Sequence, residues 1–258
     1  MRKVLAAIDD SASARPVVAT ALALAAALGA TPEALYVREN HPEGPHDAAD
    51  AAGVPYREVA GEVVDEIAAA AGADDVAAVV VGVRSSPAAA HLAGHVALEL
   101  MTRLTKPLVV VPPGAHPPLV LRRVAVPLDG TAQTSARARP ALDLATLAGI
   151  EVIVIHVCDE DRIPPFTDQP QHETRAFAEE FVARHVPGGP VQLELRVGVP
   201  ADEVLGAALA LDADLCALAW AQGLEHGRAR VVKELLAHSP IPLLLLPMDT
   251  TAASTTSD

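Results

Sequence analysis

The chain alternates short, nearly uninterrupted apolar runs with longer Ala/Leu-rich stretches, and the alternation runs through five strands in each half. Val4 to Ile8 and Val124 to Leu128 open the halves, each ending in an Asp and then a Ser or Thr, the residue type whose hydroxyl accepts a first-turn amide of a helix. The helices that follow stop at Gly29 and Gly149, residues suited to the left-handed conformation that ends helices. Second strands are expected at Ala34 to Val37 and Val152 to Val157. The latter, VIVIHV, scarcely alternates, as a parallel strand covered on both faces should not. Third strands at about Tyr56 to Val59 and Gln192 to Val197 enter helices through Gly61 and Gly198. Fourth strands lie at Val76 to Val81 and Leu215 to Ala219, final helices at Val96 to Leu104 and Val231 to His238, and fifth strands at Leu108 to Val111 and Leu243 to Leu246. Parallel neighbours need right-handed crossovers, so this order predicts an α/β fold of two doubly wound domains, each with a five-stranded parallel sheet.

The halves are copies. VLAAIDDSASARPVVATALALAAALGA returns 120 positions later as VAVPLDGTAQTSARARPALDLATLAGI, with Asp9 on Asp129, Ser11 on Thr131 and Val37 on Val157. TKPLVVVPP and SPIPLLLLP close them. By the third strand the offset is 137, so the second half has gained 17 residues, and HETRAFAEEFVARHV within the gain reads as an amphipathic helix. Its counterpart, HPEGPHDAADAAG, has room for a turn or two. Residues 1–113 and 121–248 are the expected domains. PPGAHPP is read as a stiff, extended linker at residues 114–120 and their flank, and 249–258 as a disordered tail.

Half the residues are hydrophobic but only 2% are aromatic, which leaves no stacking platform for single-stranded nucleic acid. A formal charge of -14 with no basic run disfavours nucleic acid and anionic membrane as partners. Asp9 and Asp10 break the apolar run near the start, and Val17 to Leu28 is too short to span a bilayer, so a cytoplasmic protein is expected. Cys158 and Cys216 sit in or beside strands without metal spacing and read as buried free thiols. His156, inside a strand, reads as a packed core residue. There is no P-loop, GxGxxG, HExxH or GxSxG, so catalysis, beyond slow ATP hydrolysis at most, finds no motif.

Ligands of such sheets bind at the carboxyl ends of strands where strand order reverses. Asp9, Val37 and Gly82 fall there. The loop GVRSSPAAAHLAGH, from Gly82 to His95, runs into a helix start, where glycines admit close backbone approach and unpaired amides favour a phosphate.

With these residues the chain resembles a tandem universal stress protein, two copies of a Rossmann-like domain related to the adenine nucleotide alpha hydrolases. The AIDDS and VPLDGT openings, the KPLVVVP and IPLLLLP closings and the element order carry the resemblance over nearly the whole chain. Nucleotide-binding members have GxxG, nine residues, then Gly and Ser or Thr after the fourth strand. The resemblance implies ATP or another adenine nucleotide, with Mg as companion ion, held by Asp9 and Val37 at the adenosine and by Gly82, Arg84, Ser85, Gly94 and His95 at the phosphates. It also implies an internal pseudo-dimer through the fifth strands and a possible homodimer. Three positions depart from the pattern: Ser85 replaces the second glycine, the gap is eight, and His95 stands at the Ser/Thr position. The loop is therefore either a variant phosphate cradle, with Arg84 and His95 as donors, or a helix-capping loop without ligand. The second half departs further, with Ala219, Gln222 and Ala229-Arg230 at the pattern positions and Trp220 expected to crowd the site. Asp129 there reads as inherited geometry. Arg228 and Arg230 read as solvated. The overall expectation is a non-catalytic protein that binds nucleotide in its first half and has a degenerate second site; the alternative is a ligand-free module acting through protein contacts.

Overall fold

The computed structural model describes residues 1–38, 47–83, 95–158, 170–186, 191–220 and 228–247, except for the side chains of 170–175 and 228–229. The first half contains β1 (Lys3–Ile8), α1 (Ala14–Leu28), β2 (Thr31–Arg38), α2 (Asp47–Ala51), β3 (Tyr56–Ala60), α3 (Val63–Ala71), β4 (Val76–Gly82), α4 (His95–Arg103) and β5 (Leu108–Val111). The second contains β6 (Arg123–Pro127), α5 (Ala132–Leu147), β7 (Glu151–Cys158), α6 (Pro170–His185), β8 (Gln192–Val197), α7 (Pro200–Ala210), β9 (Leu215–Trp220), α8 (Arg228–His238) and β10 (Leu243–Pro247).

The ten strands form one sheet in the order β3-β2-β1-β4-β5-β10-β9-β6-β7-β8. Every neighbouring pair is parallel except β5 and β10, which run antiparallel with Leu243 opposite Val110, Leu244 opposite Val109 and Leu245 opposite Leu108. Two five-stranded parallel halves therefore join at their fifth strands.

Period-two alternation sends successive side chains to opposite faces. In β1, Leu5 joins one buried cluster with α3, α4, α7 and α8, while Val4 and Ala6 join the other with α1 and α5. Both clusters draw residues from both halves, so each core is continuous across the joint.

Local chemistry fixes several element ends. Gly29 closes α1 at φ 58°, where a Cβ would be strained. Thr131 caps α5, its side chain accepting from the Thr134 amide. The first half differs from this expectation. Ser11 Oγ accepts from the Ser13 amide at 3.2 Å, outside the helix, and α1 begins at Ala14 with Ser13 as its uncapped boundary. The extra residues after Asp9 are absorbed by the Ser11–Ser13 turn.

PPGAHPP is not simply extended. The Ala115 amide donates to Pro112 O at 3.1 Å across a turn that places Gly114 at φ 76°, and the His116 amide donates to Pro240 O at 3.0 Å. Ala115 is buried. The linker is thus a turn pinned to the loop before β10. The 249–258 tail lies outside the described residues.

Trp220 does not crowd the edge of its own half. It is buried, and its indole Nε1 donates to Met101 O at 2.9 Å, near the end of α4 in the other half. Met101 contributes one of the last carbonyls of α4, a group that has no partner within the helix. The indole therefore fills the core between halves and satisfies an orphan acceptor. Trp220→Ala is expected to cost about 3–5 kcal/mol of unfolding free energy. Trp220→Phe, which keeps most of the packing, should cost about 1 kcal/mol from the lost hydrogen bond. Urea denaturation followed by far-UV circular dichroism checks both, since Trp220 is the chain's one Trp.

Candidate functional site

β1 lies between β2 and β4, and the helices leaving it and entering β4 cover opposite faces, so strand order reverses there. Ile8 pairs with Tyr36 and Ala7 with Val81, which sets Asp9 beside Val37 and next to the Gly82 strand end. The expected adenosine-end residues are therefore together at one edge. Arg84, Ser85 and Gly94 lie outside the described residues.

The Asp9 carboxylate is built into the edge. Its Oδ1 accepts from the Ser11 amide at 2.9 Å and from Ser11 Oγ at 2.5 Å, and Ser11 Oγ lies 2.5 Å from Ser13 Oγ. This chain of contacts fixes the carboxylate's orientation. Val37 is buried and offers an apolar strand end beside it.

Gly82 has a packing reason to lack a side chain. A Cβ there would meet Ser13 Cβ and Oγ at 2.9 Å and Val17 Cγ2 at 3.1 Å. The missing side chain lets the first turn of α1 pack on the strand end. His95 begins α4 with its side chain 88% exposed and Nδ1 3.5 Å from a Glu99 carboxylate oxygen. It is a surface imidazole facing the next turn of its own helix.

The second half repeats the edge. Pro127 pairs with Ile155, which sets Asp129 beside Val157, and Asp129 Oδ1 accepts from Thr131 N at 3.0 Å and Thr131 Oγ1 at 2.8 Å. Here the edge opens into a cleft of about 170 Å³, lined by Asp129, Thr134, Val157, Ala219, Val231 and Val232 among others. With Trp220 turned into the core, this space is open. Arg230 is exposed, and the side chain of Arg228 lies outside the described residues.

The inserted helix α6 supports that edge through residues that the sequence reading did not single out. Phe181 packs on His156 at 4.5 Å and on His185 at 4.6 Å between ring centroids. His156 is half-buried rather than a core residue, and its Nδ1 lies 2.8 Å from Leu128 O, so it serves packing and the backbone. His185 Nδ1 lies 2.9 Å from Ser135 Oγ, and both residues are buried. The signal was present as Phe177, Phe181 and His185 at four-residue spacing, which aligns them on one helix face.

Burial, then the nearby Arg184 and His156, pull the His185 imidazole below its ordinary 6.5, with Asp129 opposing weakly. Desolvation pushes the Cys216 thiol up to about 12 and raises that of Cys158, and both cysteines are free. Neither is a ready thiolate nucleophile. Among the described residues no group of three His, Cys, Asp or Glu is arranged to hold a metal ion, and no helix is long and apolar enough to cross a membrane.

A doubly wound sheet of this order, parallel within each half, defines the Rossmann-like α/β class. The sequence profile of the universal stress protein family matches residues 1–57 and 121–247, and the chain belongs to that family. No curated protein sequence matches it. Among solved structures it is similar to a universal stress protein from Archaeoglobus fulgidus, with TM-score 0.68 and 18% identity over 95% of this chain and 98% of that one. It is also similar to a functionally unknown protein from Pseudomonas aeruginosa, with TM-score 0.66 and 16% identity over 96% of this chain and 93% of that one. At these identities the likeness is one of fold.

Two expectations follow from the contacts. Gly82→Ala should destabilise the chain by about 1–3 kcal/mol through overpacking, and adding Ser13→Gly should recover part of the loss in a denaturation double-mutant cycle. For His185, the folded pKa lies below the unfolded 6.5, so the unfolded state binds more protons in that window. Stability is full above pH 6.5 and falls as the pH drops below it. His185→Gln should flatten this slope in melts between pH 7.5 and 5.

Proposed function

We propose that this universal stress protein binds an adenine nucleotide at the Asp9 edge of its first half and acts by binding rather than catalysis. The observation that carries the reading is the placement of the oriented Asp9 carboxylate beside Val37 at the switch point between β1 and β4. A carboxylate is an acceptor for ribose hydroxyls, and the buried Val37 at the strand end beside it offers an apolar seat for a purine. The N-terminal turn of α4 would lie toward the phosphates, where unpaired amides and the helix dipole favour negative charge. A bound Mg ion would supply charge neutralisation between phosphate oxygens, held largely by the nucleotide itself.

In this reading the second half is a degenerate site. It keeps the Asp129 edge and an apolar cleft, but its loop lacks the glycine pattern that would bring backbone to phosphate. The pairing of β5 with β10 supports reading the two halves as an internal pseudo-dimer, and the proposed domains are residues 1–113 and 121–248. A second reading, in which the second half takes the nucleoside, is favoured by the open cleft at Asp129.

Calorimetric titration of the full chain with ATP, ADP and AMP, beside mass spectrometry of co-purifying small molecules, tests the proposal. One site is expected, lost in Asp9→Ala and kept in Asp129→Ala, with thermal melts confirming that both variants fold. The reverse pattern assigns the site to the second half. No heat at millimolar nucleotide and nothing co-purifying would leave the ligand-free module as the correct reading.

A further inference from the structure

The crossovers leave one face of the joint thinly covered. α4 and α8 contribute to the buried cluster on one face of the central strands, whereas α1 and α5 flank the other face from either side. The burial of β10 records the difference: Leu243 and Leu245 are 0% and 1% exposed, but Leu244 and Leu246, on the opposite face, are only partly buried. Between α1 and α5 on that face runs a groove of about 210 Å³. Leu24 and Leu28 wall one side, Leu144 and Ala145 the other, and Leu244 and Leu246 form part of the floor.

Among the described residues lining the groove, Arg2 alone carries a charged or polar side chain. We propose that the groove binds a free, unbranched aliphatic monocarboxylate, with its alkyl chain between α1 and α5 and its carboxylate at Arg2. Charge complementarity selects this occupant. In a chain of net charge -14, the one charge that the described residues place at the groove is positive, and no described acidic residue lines it to receive an amine. Arg2 is exposed, so the head group stays hydrated while the chain is buried. The volume falls below the roughly 300–1,000 Å³ of sites for drug-sized molecules and suits a single chain rather than a ring system. This site is separate from the Asp9 edge and does not depend on nucleotide binding.

The test is calorimetry of the delipidated full chain with octanoate, decanoate and dodecanoate below their micelle concentrations. Saturable one-to-one binding is expected, tightening by roughly fourfold for each methylene that enters the groove. Ala145→Trp, which fills the groove, and Leu144→Asp, at a half-exposed helix position, should each weaken dodecanoate by roughly tenfold or more through lost apolar contact. Arg2→Gln should weaken dodecanoate by roughly two- to fivefold, as for an exposed ion pair, and leave dodecanol unchanged. Asp9→Ala should leave dodecanoate binding intact, which separates this result from the nucleotide titration. Absence of saturable binding overturns the proposal, as does unchanged affinity in both groove variants while their melts remain cooperative. An Arg2→Gln variant indistinguishable from the parent overturns the carboxylate assignment. If sedimentation finds a dimer that Leu144→Asp dissociates and dodecanoate does not bind, a second copy covers the groove and the proposal is wrong.

Discussion

The antiparallel pairing of β5 with β10 is the contact on which the rest of the molecule depends. Each half taken alone would end its sheet on a short, wholly aliphatic strand, LVVV or LLLLP, with its backbone groups unpaired. Such an edge invites pairing with another chain. Pairing the two edges with each other removes both liabilities and lets each core run across the joint. Because the pairing is antiparallel, the carboxyl ends of the strands in the two halves point in opposite directions along the sheet. The edges at Asp9 and Asp129 are thus separated by construction, and either can change without disturbing the other. Trp220 reinforces the joint by reaching from β9 to the final carbonyls of α4.

Much of the fold was legible because the signals are local. Apolar runs marked the central strands of each half, a glycine marked the end of α1, and the repeat supplied a second reading of each element, including the polar-interrupted outer strands YREVA and QLELRV. The pairing of Asp9 with Val37 was legible too, since strand order and the duplicated spacing both place them at one edge. What was not legible depended on tertiary contacts. The proline-rich linker reads as extended by composition, but its path is set by the local turn that Ala115 closes on Pro112 and by His116 bonding to distant Pro240. Trp220 is the last residue of β9, one beyond the strand end expected from the sequence, and nothing in its neighbours says that it turns toward the other half. His185 needed the fold to bring it to Ser135, fifty positions earlier in the chain.

The insertion that lengthens the second half changes the surroundings of its edge rather than the edge itself. α6 lays Phe181 against His156, and a Cβ at Gly130 would stand 3.4 Å from both rings. The turn that carries Asp129 is therefore backed by an aromatic and imidazole stack. Among the described residues, the turn carrying Asp9 is held instead by the Ser11 and Ser13 hydroxyls. The same carboxylate position is hydrogen-bonded to the residue two places on in both copies, and in the second copy the turn gains an aromatic and imidazole backing as well.

That difference bears on how the glycine pattern should be read. α1 starts five residues after Asp9 and α5 three residues after Asp129, so the connecting turns differ in length between copies. In the first copy the longer turn brings Ser13 to the end of β4, where any Cβ at Gly82 would collide with it. In the second copy the equivalent strand position is Ala219, whose neighbours leave an open cleft. The change from Gly to Ala thus follows from how the first helix begins, and does not by itself signal a lost ligand site. Any loss of phosphate binding in the second half must lie in the loop beyond Trp220, where the chain is shorter and Gln222 and Ala229 replace the remaining pattern positions. A glycine at a strand end has to be weighed against the helix it faces before it is assigned to a phosphate.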